Sequence, residues 1–250
     1  MLGAAFSFPP HNNQHAVSTV TNPTPLSKLP FFDPRKVPVL GTDAQLPAVP
    51  PQALTAQALR QRFKQPPVWQ PEVVKEIRFT DRQPAHAAVL VAIIMHPGRP
   101  TVLLTQRTAH LSTHSGQIAF PGGKSDSDDA HAAATALREA QEEVGLDPGH
   151  AEVLGELPLY ITGTAFLITP VVALVEPGFA LAPNADEVQD AFEVPLDFLM
   201  NPAHHQRHAL EWEGQRREWF SMPYHDAGVE RFIWGATAGM LRNLYRFLSA

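Results

Sequence analysis

The chain of 250 residues contains no cysteine. That absence excludes disulfides, thiol nucleophiles and thiolate metal sites. No apolar run approaches the roughly 20 residues that a helix needs to cross a bilayer. The N-terminus lacks a basic segment followed by an apolar core, so it does not resemble a secretory leader, and the cytoplasm is the expected compartment. No segment recurs at a fixed period, which argues against a solenoid or propeller. Basic charge is short as well. Lys and Arg together number 19 against 25 Asp and Glu, a formal net charge of −6, which is opposite to the basic footprint of a nucleic-acid surface. A small-molecule partner is expected, neither nucleic acid nor membrane is, and a homodimer is admitted.

Proline, in contrast, is abundant at 25 residues, and much of it lies early. Pro9-Pro10 and Pro50-Pro51 bracket Pro23, Pro25, Pro30, Pro34 and Pro38, with no sustained periodicity between. Residues 1–53 therefore read as a Pro-rich arm, disordered or loosely draped, with Phe31-Phe32 as the residues that could pin it. The folded domain is assigned to residues 54–250. It opens on Leu54, Ala58, Leu59 and Phe63 at helical spacing, with Arg60, Arg62 and Lys64 as a surface edge.

His86 to Met95 is apolar enough for a buried strand, and Thr101 to Thr105 is its expected hairpin partner after the turn His96-Pro97-Gly98. Glu152 to Tyr160 and Phe166 to Val175 read as two more strands, and His208 to Tyr224 as a hairpin turning at Glu213-Gly214-Gln215. A final helix is expected just after Ile233-Trp234-Gly235, capped by Thr237, with Met240, Leu241, Leu244 and Leu248 facing inward. The expected architecture is a mixed sheet with a helix on each face. His204-His205 read as loop, because adjacent side chains diverge in regular structure.

The chemistry concentrates in Gly122 to Leu146. Ala133, Leu137, Ala140 and Val144 share one helical face, and Glu139, Glu142 and Glu143 gather on the other. Like charges at that spacing cost a few tenths of a kcal/mol per pair. A hard divalent cation with oxygen ligands would remove the penalty. Asp129 is the expected N-cap, Gly145 the left-handed C-terminal residue, and Pro148 the stop. Arg138, four residues before Glu142, can orient that carboxylate. Gly122-Gly123 lets backbone approach a ligand closely. Arg107 can clamp a phosphate or pair with an acidic neighbour. His110, His114, Ser115 and Gln117 form a plausible polar wall for a substrate, and neither histidine is taken as a metal ligand, since hard oxygen donors suit Mg²⁺ or Mn²⁺ better.

Arg138-Glu139, Glu142-Glu143, Gly145 and Leu146 fall on the pattern G-x5-E-x7-R-E-U-x-E-E-x-G-U, with U a bulky apolar residue, so the stretch resembles the Nudix box. Ala140 stands where a bulkier residue is usual, the first acidic position is an aspartate, and one extra residue separates Gly123 from Arg138. That variant, with L-L-T-Q-R at Leu103 to Arg107 and H-L-S-T-H-S-G-Q-I-A-F at His110 to Phe120, resembles the coenzyme A pyrophosphatase branch over roughly 45 residues.

The resemblance implies a Nudix-type α/β/α sandwich with a mixed sheet. It implies metal-dependent cleavage of CoA or its thioesters to 3′,5′-ADP and 4′-phosphopantetheine or its acyl form. Glu139, Glu142 and Glu143 would be the Mg²⁺ or Mn²⁺ ligands, Arg138 would orient them, and His114, Gln117, Arg107, Gly122 and Gly123 would contact substrate. Asp186-Glu187-Val188 resembles the segment after the sheet in this family, which offers Glu187 as base or further ligand. The residue-level alternative for Glu187 is an acid at a helix N-terminus. Two other functions stay open: a Nudix hydrolase for ADP-ribose or a nucleoside triphosphate, and a non-catalytic nucleotide-binding module.

Overall fold

The computed structural model describes residues 33–250, apart from 79, 109–115, 213 and the side chain of Trp212. His110, His114, Ser115 and the Phe31-Phe32 pair lie outside the described residues.

The buried run expected at His86 to Met95 forms β2 (Ala85–Ile94), whose last eight residues are all buried. Covered on both faces, it carries no alternation of polar and apolar side chains. Antiparallel to it at one end runs β3 (Thr101–Arg107), with Ile94 opposite Thr101. Parallel to it on the other side runs β8 (Phe166–Val175), in unbroken register from Ala85↔Phe166 to Ile94↔Val175. The short strands β4 (Ile118–Ala119) and β5 (Gly122–Lys124) pair with β3 and β2. The strands β6 (Ala151–Glu156) and β7 (Tyr160–Ile161) pair with β8, and β9 (Val188–Pro195), which runs into the short helix α3 (Leu196–Leu199), pairs with β3. Together they make the eight-stranded mixed sheet.

Each face of this sheet has its own core. Ala88, Leu90, Ala92 and Ile94 pack with Ala136, Ala140 and Val144 of the motif helix, α2 (Ala132–Val144). The alternate residues Val89, Val91 and Ile93 pack with Leu241, Leu244 and Leu248 of the C-terminal helix, α4 (Gly235–Ser249). The period of two along β2 thus separates the two layers.

A second, four-stranded sheet was not read from the sequence. Its order is β1 (Val39–Thr42), β10 (Gln206–Trp212), β11 (Gln215–Asp226), β12 (Val229–Trp234). The expected hairpin is its centre, with Leu210 opposite Arg217. Phe220, Met222 and Ile233 of this sheet join the core around α4. Ile233-Trp234, expected only as a lead-in to the last helix, ends β12.

β1 also corrects the expected arm. Residues 33–53 are tied down rather than loosely draped: Val39 pairs with His208, and Val37, Val49 and Asp43 are buried. Proline composition hid this because Pro34, Pro50 and Pro51 flank the strand or open 3₁₀ turns, where a missing N–H costs nothing. The helix expected from Leu54 is α1 (Ala56–Lys64), capped by Thr55 and preceded by a 3₁₀ turn at Pro51–Leu54. As expected of surface groups, Arg60 pairs with Glu152 and Arg62 bonds the carbonyls of Leu248 and Ala250.

His205 lies between a 3₁₀ turn and β10, as the loop reading expects, but it is not exposed. It is fully buried, with Nε2 2.8 Å from Leu199 O and Nδ1 3.1 Å from Arg242 Nη1. Thr237 does not cap α4; its hydroxyl donates to Ile118 O at 3.0 Å and pins the helix to β4.

Candidate active site

The motif helix ends as its sequence demands. Gly145 takes φ 70° and ψ 18°, and its N–H closes the last turn on Gln141 O at 2.9 Å. Its start differs from expectation. His131 is the N-cap, its Nδ1 accepting from the Ala134 N–H at 3.1 Å. Asp129, expected there, is occupied with Arg138: Nε donates to Oδ1 at 3.1 Å and Nη2 to Oδ2 at 2.9 Å. A two-pronged bond to a guanidinium outcompetes one backbone N–H. Arg138 holds the Asp129 carboxyl well below the usual range.

The same guanidinium organises the acidic face. Its Nη1 donates to Glu139 Oε1 at 2.9 Å and to Glu142 Oε2 at 3.0 Å, and Nη2 reaches Lys124 O at 3.2 Å. Arg138 therefore joins the acidic loop before the helix, strand β5 and two glutamates of the motif.

Glu143 is held differently. It is buried, with Oε2 accepting from the Gly122 N–H at 3.1 Å and Oε1 3.4 Å from Arg107 Nη1. Burial pushes its carboxyl up to about 7, against the pull of Gly122 and Arg107. Burial also raises Glu139, which Arg138 opposes. The charge of Glu187 adds to the upward push on both, which brings Glu187 into the electrostatic group. It sits in the turn before β9, its carbonyl accepting from the Thr108 N–H at 3.0 Å. It is not at a helix N-terminus, so the helix-dipole alternative does not apply.

Gly122 and Gly123 are demanded by space. Gly122 has φ 156°, and a β-carbon there would lie 2.4 Å from Ala88 O. A β-carbon at Gly123 would lie 2.4 Å from Glu139 Oε2. Glu139 thus presses directly on the bare backbone of Gly123, while Gly122 is packed against β2.

The donor chemistry fits a hard divalent cation. Every side-chain donor in the group is a carboxylate oxygen, and two of them are burdened by burial and mutual repulsion that a cation would relieve. As placed, Glu139 and Glu142 turn to Arg138 and Glu143 to Arg107. Among the described residues no three acidic or imidazole groups already converge around one point.

Beside the Gly122–Gly123 strand opens a cavity of about 1140 Å³. Arg107, Gln117, Gly122 and Gly123 line it, as does Lys124, which the sequence reading passed over. Arg107 pairs with Glu143 and also lines the cavity. The acidic glutamates abut the far side of the glycine backbone and do not line the wall. The second sheet closes part of the cavity through residues including Trp219 and Phe220.

The NUDIX domain family model matches residues 84–221. An uncharacterized Nudix hydrolase NudL from Pectobacterium atrosepticum is 43% identical over 162 residues, covering 65% of this chain and 82% of that protein. A protein of the same description from Citrobacter koseri is 43% identical over 159 residues, covering 63% and 80%. Among solved structures, a Nudix hydrolase from M. smegmatis, RenU, is 27% identical over 46% of this chain and 72% of its own, with a TM-score of 0.37.

Proposed function

The chain belongs to the Nudix hydrolase family, and from that premise we propose that this pyrophosphohydrolase of nucleoside diphosphate derivatives cleaves coenzyme A or its thioesters. The products would be 3′,5′-ADP and 4′-phosphopantetheine or its acyl form. One observation carries the substrate reading. Arg107, Gln117, Ile118 and Phe120, from the stretch upstream of the box that resembles coenzyme A pyrophosphatases, line the same cavity as Gly122 and Gly123. The residues that suggest the substrate and the strand that contacts the acidic helix therefore share one wall.

In this reading Glu139, Glu142 and Glu143 hold Mg²⁺ or Mn²⁺. The bound ion supplies charge neutralisation at phosphoryl oxygens and acidifies water. Arg138, fixed by Asp129, sets the orientation of Glu139 and Glu142. Arg107 exchanges part of its long contact with Glu143 for the diphosphate. Gly122 and Gly123 let the phosphates come close to the carboxylates, and Gln117 contacts the rest of the substrate. Glu187, within electrostatic reach of Glu139 and Glu143, serves as base or further ligand.

The test is Glu142→Gln at saturating metal. Loss of one ligand charge should lower kcat by at least about 100-fold; full turnover would remove Glu142 from the site.

A further inference from the structure

We infer that the end of the cavity remote from the acidic helix is an aliphatic-tail site, and that Leu40, Val74 and Ile77 make the enzyme select tailed diphosphates over tail-less ones. The inference rests on the proposed substrate, of which it specifies the acyl end.

The distance follows from the sheet. Lys124 on β5 is opposite Ala87, Ala87 is beside Ile168, and Ile168 is opposite Tyr160. Ile161 then bridges to Lys75. Four strand spacings separate Lys124 from Lys75, or about 19 Å at roughly 4.8 Å per step. Both lysines line the one cavity. A ligand with its diphosphate against Gly122–Lys124 reaches the other end only through a long substituent, since a diphosphate and one sugar are too short.

The chemistry changes along that path. Phe166 and Ile168 line the middle; beyond them, beside Glu72, Lys75, Glu76 and Arg207, come Leu40, Val74 and Ile77. The last three are 60%, 44% and 37% exposed. Glu72 is paired with Arg207 and Arg242, and Glu76 accepts from the Tyr160 hydroxyl and the Gly163 N–H, which leaves the three aliphatic side chains as the apolar contact surface on that wall.

The lip is also built, not incidental. Leu40 lies on β1 and Val74 on the segment before β2, and two arginines clamp these pieces together. Arg207 Nη2 lies 2.8 Å from Asp43 Oδ2 and 2.7 Å from Glu72 Oε1. Arg242, almost fully buried, reaches the same carboxylates at 2.8 and 2.7 Å. Asn243 adds bonds to the backbone of Glu72 and Val73. Both pieces fall outside the residues that the family model matches, 84–221.

The experiment compares kcat/KM for free CoA and octanoyl-CoA in the wild type, in Leu40→Ser/Ile77→Ser, and in the conservative Leu40→Met/Ile77→Leu. The wild type should favour octanoyl-CoA by about tenfold, mainly through KM. The serine pair should bring the ratio near one, and the conservative pair should keep it. A ratio of one in the wild type, or an unchanged ratio in the serine pair, overturns the tail site while leaving the CoA reading standing. Turnover of neither compound removes the CoA reading and the tail site together.

Discussion

A β-carbon at Gly123 would lie 2.4 Å from Oε2 of Glu139, so the Glu139 carboxylate packs directly on the strand backbone and leaves no room for a side chain at position 123. Glu139 is bonded to Arg138, and pushing it away would shift the arginine as well. Gly123→Ala should therefore lower kcat/KM by about 100-fold, the scale of a displacement near 1 Å in a catalytic group. Steady-state kinetics beside thermal unfolding would check this. An alanine variant with wild-type turnover would show that the contact can relax freely.

Asp129 grips Arg138 through two bonds, and Arg138 in turn sets Glu139 and Glu142. Asp129→Asn keeps the shape but removes the charge from the grip. Its kcat should fall about 10- to 100-fold, as for other residues that orient metal ligands, with apparent metal affinity falling in parallel. Metal titrations of activity would detect both; an unchanged metal dependence would make Asp129 a packing residue only.

The difference between the expected and observed roles of Asp129 shows what sequence could resolve. An unbroken apolar run marked β2 as a strand buried on both faces, and helical periodicity marked α2 because one buried face repeats along it. Gly145 marked its own conformation. The arginine partner of Asp129 is nine residues away, where spacing alone cannot choose between capping a helix and gripping an arginine. The second sheet was harder still, since β1 is four exposed residues paired across the chain with β10. The loop reading of His205 holds, but its burial was not legible, because its partner Arg242 lies 37 residues on. The box itself was legible because its acidic, basic and glycine positions are local. The cavity beside it was not, because its walls come from both sheets and α4.

Gly239 faces Tyr160, and a β-carbon there would lie 2.8 Å from the phenol oxygen. That oxygen is held by Glu76 Oε1 at 3.0 Å and the ring is buried, so it has little room to yield. Gly239→Ala should cost about 1–3 kcal/mol by overpacking, despite the better helix propensity of alanine. Denaturant unfolding would measure it, and a stabilised variant would show that α4 can move off β7.

His205 gives stability a pH dependence of known sign. The neutral ring donates from Nε2 to Leu199 O and accepts at Nδ1 from Arg242. Burial chiefly lowers its pKa from 6.5 to about 4. The unfolded chain then binds the extra proton first as pH falls. The contribution is intact above the unfolded value and is lost between about pH 6.5 and 4, up to about 3 kcal/mol. His205→Gln should lack this loss, so its stability gap from the wild type should narrow between pH 7.5 and 4.5. A constant gap would mean that unfolding does not protonate this ring.

The most direct measurement is mass-spectrometric product analysis with CoA, ADP-ribose and dGTP side by side, with Mg²⁺ or Mn²⁺ and with EDTA. The account predicts 3′,5′-ADP and 4′-phosphopantetheine from CoA, abolished by EDTA and well above turnover of the other two compounds. Preferential cleavage of ADP-ribose or dGTP would contradict it.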